Sequence, residues 1–283
     1  MDRPFNLLDY SIAFSTPRRL TDVESWHLHI PFAFVLMDML RPQILVELGT
    51  HKGDSYCAFC QAVEELVLDT ACYAVDNWQG DEHSGFYGEE VFETLRAYHD
   101  PLYGHFSTLM KCRFDDALDY FPDGAIDLLH IDGHHTYDSV RHDFESWLPR
   151  MSERGIVLFH DSSVRERDFG VWRLWAELSG RYPSFEFQFG HGLGVLAVDG
   201  QIGGAVRAFL EYGKDHETAV SRFFYHLGTK NKLDQQIVKL SERVRQLEKT
   251  LSAHDGGLQQ TDASSGYKEA SPGIAMEQAS KTV

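Results

Sequence analysis

Ile44-Leu45-Val46-Glu47-Leu48-Gly49-Thr50-His51-Lys52-Gly53-Asp54 is the stretch whose reading decides the fold. An apolar run ends in an acid, enters a glycine-bearing turn and continues into a helical pattern. That is the layout of a strand, a tight turn and a helix at the carboxyl edge of a parallel sheet. The next apolar run, Ala71-Cys72-Tyr73-Ala74-Val75, ends in Asp76. Working outward, the strand candidates are 43–48, 71–76, 106–111, 125–131 and 155–160. Helical patterns near 53–68, 88–99, 113–120 and 136–149 lie between them, so the runs build a parallel sheet covered on both faces.

Upstream, residues 30–40 read as a helix ending before Pro42. Downstream, a helix near 170–181 precedes Phe185-Glu186-Phe187-Gln188-Phe189 and Leu193-Gly194-Val195-Leu196-Ala197-Val198. Gly190-His191-Gly192 joins these two runs over a hairpin-length connection, which makes the last two strands antiparallel. The predicted class is therefore α/β: a Rossmann-like seven-stranded sheet, mostly parallel, with a terminal antiparallel hairpin and helices on both faces. Residues 1–28 read as a lead-in segment, 29–227 as the α/β domain, 228–252 as a heptad helix and 253–283 as a disordered tail. In the heptad segment Leu233, Ile237, Leu240, Val244, Leu247 and Leu251 fall at alternating spacings of four and three. Such a seam favours a parallel homodimer through 233–251, and an amphipathic helix packed on its own domain is the other reading.

The chain has 283 residues, a hydrophobic fraction of 43% and a net charge of −17. Residues 228–283 carry 8 Lys/Arg against 7 Asp/Glu, so the acidity belongs to the preceding part. An acidic body repels phosphate backbones and anionic lipid surfaces, which argues against nucleic acid as partner. The four cysteines, Cys57, Cys60, Cys72 and Cys112, form no repeated framework and read as reduced thiols of a cytoplasmic protein. Cys57 and Cys60 make a C-x-x-C pair that fits the buried face of a helix better than a redox or metal motif. No signal-peptide pattern opens the chain, and no apolar run approaches membrane-spanning length.

Chemistry concentrates at the ends of the strand candidates. Gly49 and Gly53 allow close backbone approach to a ligand, and Glu47 could hold a ligand ammonium. The spacing Glu-x-Gly-x-x-x-Gly differs from the Gly-x-Gly-x-x-Gly of dinucleotide enzymes and points to S-adenosylmethionine (SAM) rather than NAD. Asp76 can accept hydrogen bonds from both ribose hydroxyls, or cap a helix or turn. Trp78 is a candidate to lie against adenine, or a core or lid aromatic; Asp115 could read the adenine amino group or cap a helix. Residues 77–88, rich in glycine, aromatics and acids, suggest a lid.

The fourth strand ends in His130-Ile131-Asp132-Gly133-His134-His135 and the fifth in Phe159-His160-Asp161. Adjacent strand ends bring Asp132 and Asp161 together, and two carboxylates there call for a cation or a proton between them. Asp132, His160 and Asp161 form a candidate set for Mg²⁺ or Mn²⁺. His134 and His135 are the candidates for a general base, His134 being preferred because it lies two residues from Asp132.

Taken together, Val46-Glu47-Leu48-Gly49 to Gly53, Asp76-Asn77-Trp78, Ile131-Asp132-Gly133-His134-His135 and Phe159-His160-Asp161 resemble class I SAM-dependent methyltransferases. The set is most similar to the bacterial branch often found beside or fused to glycosyltransferases, which Gly170-Val171-Trp172 and His191-Gly192-Leu193-Gly194 also fit. The resemblance covers about residues 20–200. More distantly, the chain is similar to Mg²⁺-dependent sugar O-methyltransferases, where the fifth strand ends in paired acids. Here His160 takes the place of one of them. The resemblance implies O-methylation of a sugar or glycan-precursor hydroxyl, a small-molecule or glycan acceptor and a glycosyltransferase partner. The alternatives are a nucleotide-dependent oxidoreductase on a similar sheet and a non-catalytic assembly protein that retains the fold.

Overall fold

A computed structural model describes residues 5–262, with side chains to 252. The chain divides into two compact units, Met1–Gln235 and Gln236–Val283.

The first unit is built on one seven-stranded sheet. Its strands are β1 (Ile44–Leu48), β2 (Ala71–Asp76), β3 (Ser107–Lys111), β4 (Ile126–Ile131), β5 (Met151–His160), β6 (Ser184–Phe187) and β7 (Leu193–Ala197). In space they run β3-β2-β1-β4-β5-β7-β6. The first five are parallel, while β7 is antiparallel to both β5 and β6. The expected fold class is thus the observed one. Parallel strands need long crossovers, and the helices that supply them bury both sheet faces.

The helices are α1 (Ile30–Leu40), α2 (Asp54–Glu65), α3 (Glu89–Tyr103), α4 (Phe114–Ala117), α5 (Tyr137–Trp147), α6 (Val171–Ser179) and α7 (Gly204–Asp262). Alternation along a strand sends successive side chains to opposite faces. Leu45, Leu128 and Leu158 meet α1, α2 and α7 through Phe32, Phe59 and Phe209. Val46, Leu129 and Phe159 meet α5 and α6 through Phe144, Trp147 and Trp175. The lead-in segment joins the first layer, with Ile12, Ala13 and Trp26 buried in it. Cys57, Cys60 and Cys72 are buried free thiols, as the core reading of the C-x-x-C pair requires. Burial pushes Cys57 and Cys60 well above the ordinary thiol range.

Some boundaries differ from the sequence pattern, for physical reasons. β5 begins at Met151, four residues before its apolar run, because Asp127 satisfies the polar residues there. Ser152 Oγ donates to Asp127 Oδ1 at 2.6 Å, and Arg154 Nε lies 3.4 Å from the same atom. α3 continues through Pro101 for one more turn, closed by the Gly104 N–H on Asp100 O at 3.1 Å. The pattern near 113–120 forms only the single turn α4 and a 3-10 turn. Two short strands, Gly80–Asp81 and Gly85–Phe86, pair inside the expected lid segment.

In the second unit the described residues continue α7, which is helical to Asp262. The tail expected to be disordered, 253–283, thus begins inside this helix at 253–262, and its residues 263–283 lie outside the described residues. Among the described residues no helix is long and apolar enough to cross a membrane.

β1 is flanked by β2 on one side and β4 on the other, so the chain reverses direction across the sheet at this strand. Such a switch point opens a crevice beyond the carboxyl ends of the two strands. Gly49 stands there with φ +86°, and a Cβ built on it would collide with the carbonyl oxygen of Asp132. Gly124 has a similar φ of +72° but open space around it. Gly49→Ala should therefore cost more than Gly124→Ala. The left-handed backbone alone accounts for about 1–2 kcal/mol at each site, and the collision adds to it only at Gly49. Urea unfolding of both variants checks this; equal losses would refute the close approach of the two loops.

Candidate functional site

The turn after β1 is organised by one carboxylate. Asp76 Oδ2 accepts the Thr50 and His51 N–H groups, both at 2.9 Å, and Oδ1 accepts the Trp78 N–H at 2.7 Å. Trp78 Nε1 donates to His51 O at 2.9 Å, and its ring packs against Phe92. These bonds fix the shape of the Gly49–Gly53 turn from the neighbouring strand end.

Two cavities open on this edge. The first, of about 320 Å³, is lined by Gly49, Asp76, Phe114, Asp115, Gly133 and Asp143, among others. The second, of about 370 Å³, is lined by Trp26, Gly53, His160, Asp161, Arg167 and Phe169, among others. Gly49, His51, Ser84, Asp132 and His135 line both. Both volumes lie in the range of small-molecule sites, about 300–1,000 Å³.

Where the cavities meet, two acids and two imidazoles form one cluster. His135 Nε2 lies 2.9 Å from Asp161 Oδ2 and 3.5 Å from Asp132 Oδ1. His160 Nδ1 lies 3.2 Å from Asp132 Oδ1 and 3.3 Å from Asp161 Oδ2, while its Nε2 lies 3.2 Å from Gly190 O. Carboxylates and a carbonyl only accept, so both nitrogens of His160 carry hydrogen and the ring is an imidazolium. Burial alone would lower His160, but the charges of Asp132 and Asp161 hold it well above the ordinary histidine range. Burial also opposes charge on His135, yet its hydrogen bonds to Asp132 and Asp161 push it up to about 9. Burial would raise both acids; the charge of His160 and the hydrogen bonds from the imidazoles hold them below the carboxylate range.

Tested against a divalent cation, the donor set fits with one exchange. Asp132, His135 and Asp161 present ligand atoms within 4.8 Å of one another. The expected imidazole ligand, His160, instead spans the two acids as a donor with its second nitrogen on Gly190 O. The residue that completes the set is His135, and a cation bound there displaces the proton from its Nε2.

The remaining expected residues fall as follows. Glu47 is fully buried and lines neither cavity. Trp26 Nε1 donates to His130 Nε2 at 3.2 Å, so His130 carries its proton on Nδ1 and gives it to Glu47 Oε2 at 2.8 Å. The acid therefore faces the core between Trp26 and β4 instead of a ligand ammonium. Trp78 is buried between His51 O and Phe92, without a face in either cavity. Gly49, Asp76 and Asp115 line the first cavity, and Gly53 the second. Asp115 holds His142 at 2.9 Å across the first cavity's rim, both side chains being exposed. His134 lines only the first cavity and bonds Ser139 Oγ through Nδ1 at 3.0 Å.

Three lining residues escape sequence reasoning. His51 adopts φ +48° and stacks on Tyr87 at 4.6 Å, a geometry no residue pattern announces. Phe169 lies flat on His135 at 4.7 Å and 8°. Asp143 did leave a signal: it occupies the buried phase of α5 with Val140, Phe144 and Trp147, where a charge is out of place.

Residues 46–162 match the family model described as a methyltransferase domain. An uncharacterized protein of Sinorhizobium fredii is 50% identical over 186 residues, which is 66% of this chain and 20% of that protein. The chain thus spans about a fifth of the length of that curated relative. Among solved structures, the O-methyltransferase TomG of Streptomyces achromogenes in complex with SAM aligns with TM-score 0.46 and 14% identity, over 69% of this chain and 97% of that one. The SAH-bound methyltransferase PaMTH1 of Podospora anserina aligns with TM-score 0.46 and 13% identity, over 70% of this chain and 98% of that one.

Burial raises Asp143 to about 7, an effect the nearby His142 partly offsets. Its ordinary unfolded value is about 3.9. Below that value both states are protonated and the residue costs nothing. Between about 4 and 7 the unfolded chain ionises while the fold holds the proton, so stability falls as pH rises. Above 7 the loss is constant. Asp143→Asn should therefore gain stability over the wild type from pH 4 to pH 7 and then level, by on the order of 2–4 kcal/mol. Chemical unfolding at several pH values measures it; a gain independent of pH would show that Asp143 ionises normally.

Proposed function

We propose that this chain transfers a methyl group from SAM to a hydroxyl of a sugar or glycan precursor. The observation that carries the reading is the pair of cavities sharing Gly49, His51, Asp132 and His135 at the switch point of the sheet. Residues 46–162, which match a methyltransferase domain, contain those shared residues and the acids beside them.

In this reading the first cavity takes SAM. Gly49 offers backbone with no side chain in the way, Asp76 faces the ribose, and Phe114 with Asp115 and Asp143 faces the adenine. The Asp76 carboxylate also suits the positive charge of a sulfonium. The second cavity takes the acceptor, with Phe169 as a flat apolar plate among polar groups, a lining suited to a sugar ring. When bound, SAM supplies an activated methyl, so what the protein must add is alignment across the shared wall and removal of the hydroxyl proton. The acceptor oxygen gains the methyl, sulfur keeps the electrons of the broken bond, and the proton passes to an imidazole.

Of the two candidate bases, His135 stands where the cavities meet and His134 faces the first cavity only. We assign the proton to His135, with His160 and the two acids fixing its ring. A divalent cation, Mg²⁺ or Mn²⁺, held by Asp132, His135 and Asp161 would supply the alternative, lowering the pKa of a chelated hydroxyl. The resemblance to the glycosyltransferase-associated branch supports a glycosyltransferase partner, and the free thiols of Cys57, Cys60 and Cys72 support a cytoplasmic setting.

Calorimetric titration tests the reading first. SAM or its demethylated product should bind with micromolar affinity, and NAD should not bind. Absence of SAM binding would remove the methyltransferase assignment, and NAD binding would favour the oxidoreductase. Asp132→Ala should lower methyl transfer by at least about a hundredfold, the usual scale for losing a positioned acid–base or electrostatic group, with SAM binding retained or only weakened. Unchanged turnover would exclude a role for Asp132.

The proton assignment gives a pH profile. With a value of about 9, His135 is protonated at neutral pH and becomes a free base only as pH rises. In EDTA, kcat/KM should therefore climb toward pH 9 and then flatten. Asp161→Asn removes a carboxylate that holds the proton, so its rising limb should move to lower pH. A limb unmoved by this substitution would exclude His135 as the base.

A further inference from the structure

The described part of the second unit carries an exposed apolar stripe. Ile237, Leu240, Val244, Leu247 and Leu251 lie on α7 with 48–66% of each exposed. Their spacing of three and four returns them to one side of the helix, since 3.6 residues complete a turn. Isolated exposed apolar residues need no explanation, but an aligned row does.

We infer that this stripe is the seam of a parallel, in-register two-stranded coiled coil with a second copy of this chain. Three features of the helix select that occupant. First, Ile237, Val244 and Leu251 take the a positions and Leu240 and Leu247 the d positions. Two of the three a residues, Ile237 and Val244, are β-branched, and β-branched residues at a with Leu at d are the combination that packs as two parallel strands. Second, the flanking charges discriminate orientation. Arg243 sits at g and Glu248 at the e position of the next heptad. In a parallel pair each Arg243 faces Glu248 of the other copy, giving two reciprocal ion pairs. In the antiparallel pairing that aligns the same apolar layers, Arg243 faces Arg243 of the other copy, which repels. Third, the acidity of the chain does not oppose the association, because residues 228–283 are nearly neutral. The inference does not depend on the methyltransferase assignment, and it gives the heptad segment a role of its own.

Light scattering on the full chain over a range of concentrations should give a mass approaching twice 32.3 kDa, and Leu240→Lys with Leu247→Lys should return it to one chain. Orientation is read by disulfide trapping. Leu247→Cys should cross-link to itself under mild oxidation, because a parallel seam puts both copies of residue 247 in one layer. An antiparallel seam would instead cross-link a Leu247→Cys chain to an Ile237→Cys chain. Cys57, Cys60 and Cys72 are buried, and the unsubstituted chain controls for Cys112. Arg243→Glu should weaken association several-fold, and adding Glu248→Arg should restore it. A monomer at every concentration, a dimer indifferent to the seam substitutions, cross-linking only between residues 237 and 247, or tighter association of Arg243→Glu would each overturn the inference.

Discussion

The arrangement of the site depends on one backbone contact, the meeting of the loops after β1 and β4. The Asp132 N–H donates to Leu48 O at 2.9 Å, and the Gly49 N–H donates to Val75 O at 3.0 Å. Three neighbouring strand ends are thereby tied by main chain alone. A side chain at residue 49 would lie where the Asp132 carbonyl stands, so the two loops would have to separate. Their contact forms the wall that both cavities share. It also sets how far anything held beside Asp76 lies from anything held beside Asp161. Alignment of two reactants to within fractions of an ångström accounts for much of the catalytic effect of such sites. In the proposed reaction that alignment would rest on these main-chain hydrogen bonds of the sheet edge.

The second constraint is electrostatic. Two buried carboxylates near one another are unfavourable unless positive charge lies between them. The protein supplies it internally, as two imidazolium rings with a proton aimed at each acid. The cluster is charge-balanced as it stands. A divalent cation would enter by exchange, with the proton of His135 leaving, so cation affinity and pH are linked through this one ring. His160 serves differently, since Gly190 O holds its second nitrogen and keeps the ring in place whichever charge occupies the gap.

The fold was legible because its cause is local and repeated. Apolar runs of strand length, each followed by a helical pattern, can bury both faces only as a parallel sheet, and Gly190-His191-Gly192 is too short for anything but a reversal. Strand ends were legible for the same reason, so the gathering of Asp132, His135, His160 and Asp161 on one edge could be anticipated. What could not be read was where each side chain points. Glu47 lies in β1 two residues before Gly49, yet it belongs to the face that meets Trp26 and His130. Its partner there lies 83 residues away in sequence. Trp78 turned into the core because His51 O offers its indole a hydrogen bond, which depends on the left-handed backbone of His51. His135 and His160 could not be told apart by spacing, because their difference lies in what the second ring nitrogen meets.

Residues 77–88 show how such long-range contacts connect the parts. His83, in the turn between the two short strands, is almost wholly buried although it belongs to a surface loop. Its Nε2 lies 2.7 Å from Asp168 Oδ1, and its ring packs on Phe169 at 4.4 Å and on His134 at 4.9 Å. Phe169 in turn lies on His135. One imidazole therefore joins the loop after β2 to the loops after β4 and β5, and it roofs the place where the cavities meet. His83 also lies 5.5 Å from the His135 ring, so residues 77–88 cover one flank of it while Phe169 supports its face from the loop after β5. Cover of this kind keeps water from the cluster below, and a lower local dielectric strengthens each charge contact within it. A ligand that fills the second cavity and separates His135 from Asp161 would disturb the ring stack and the charge pairing together, because both meet at His135.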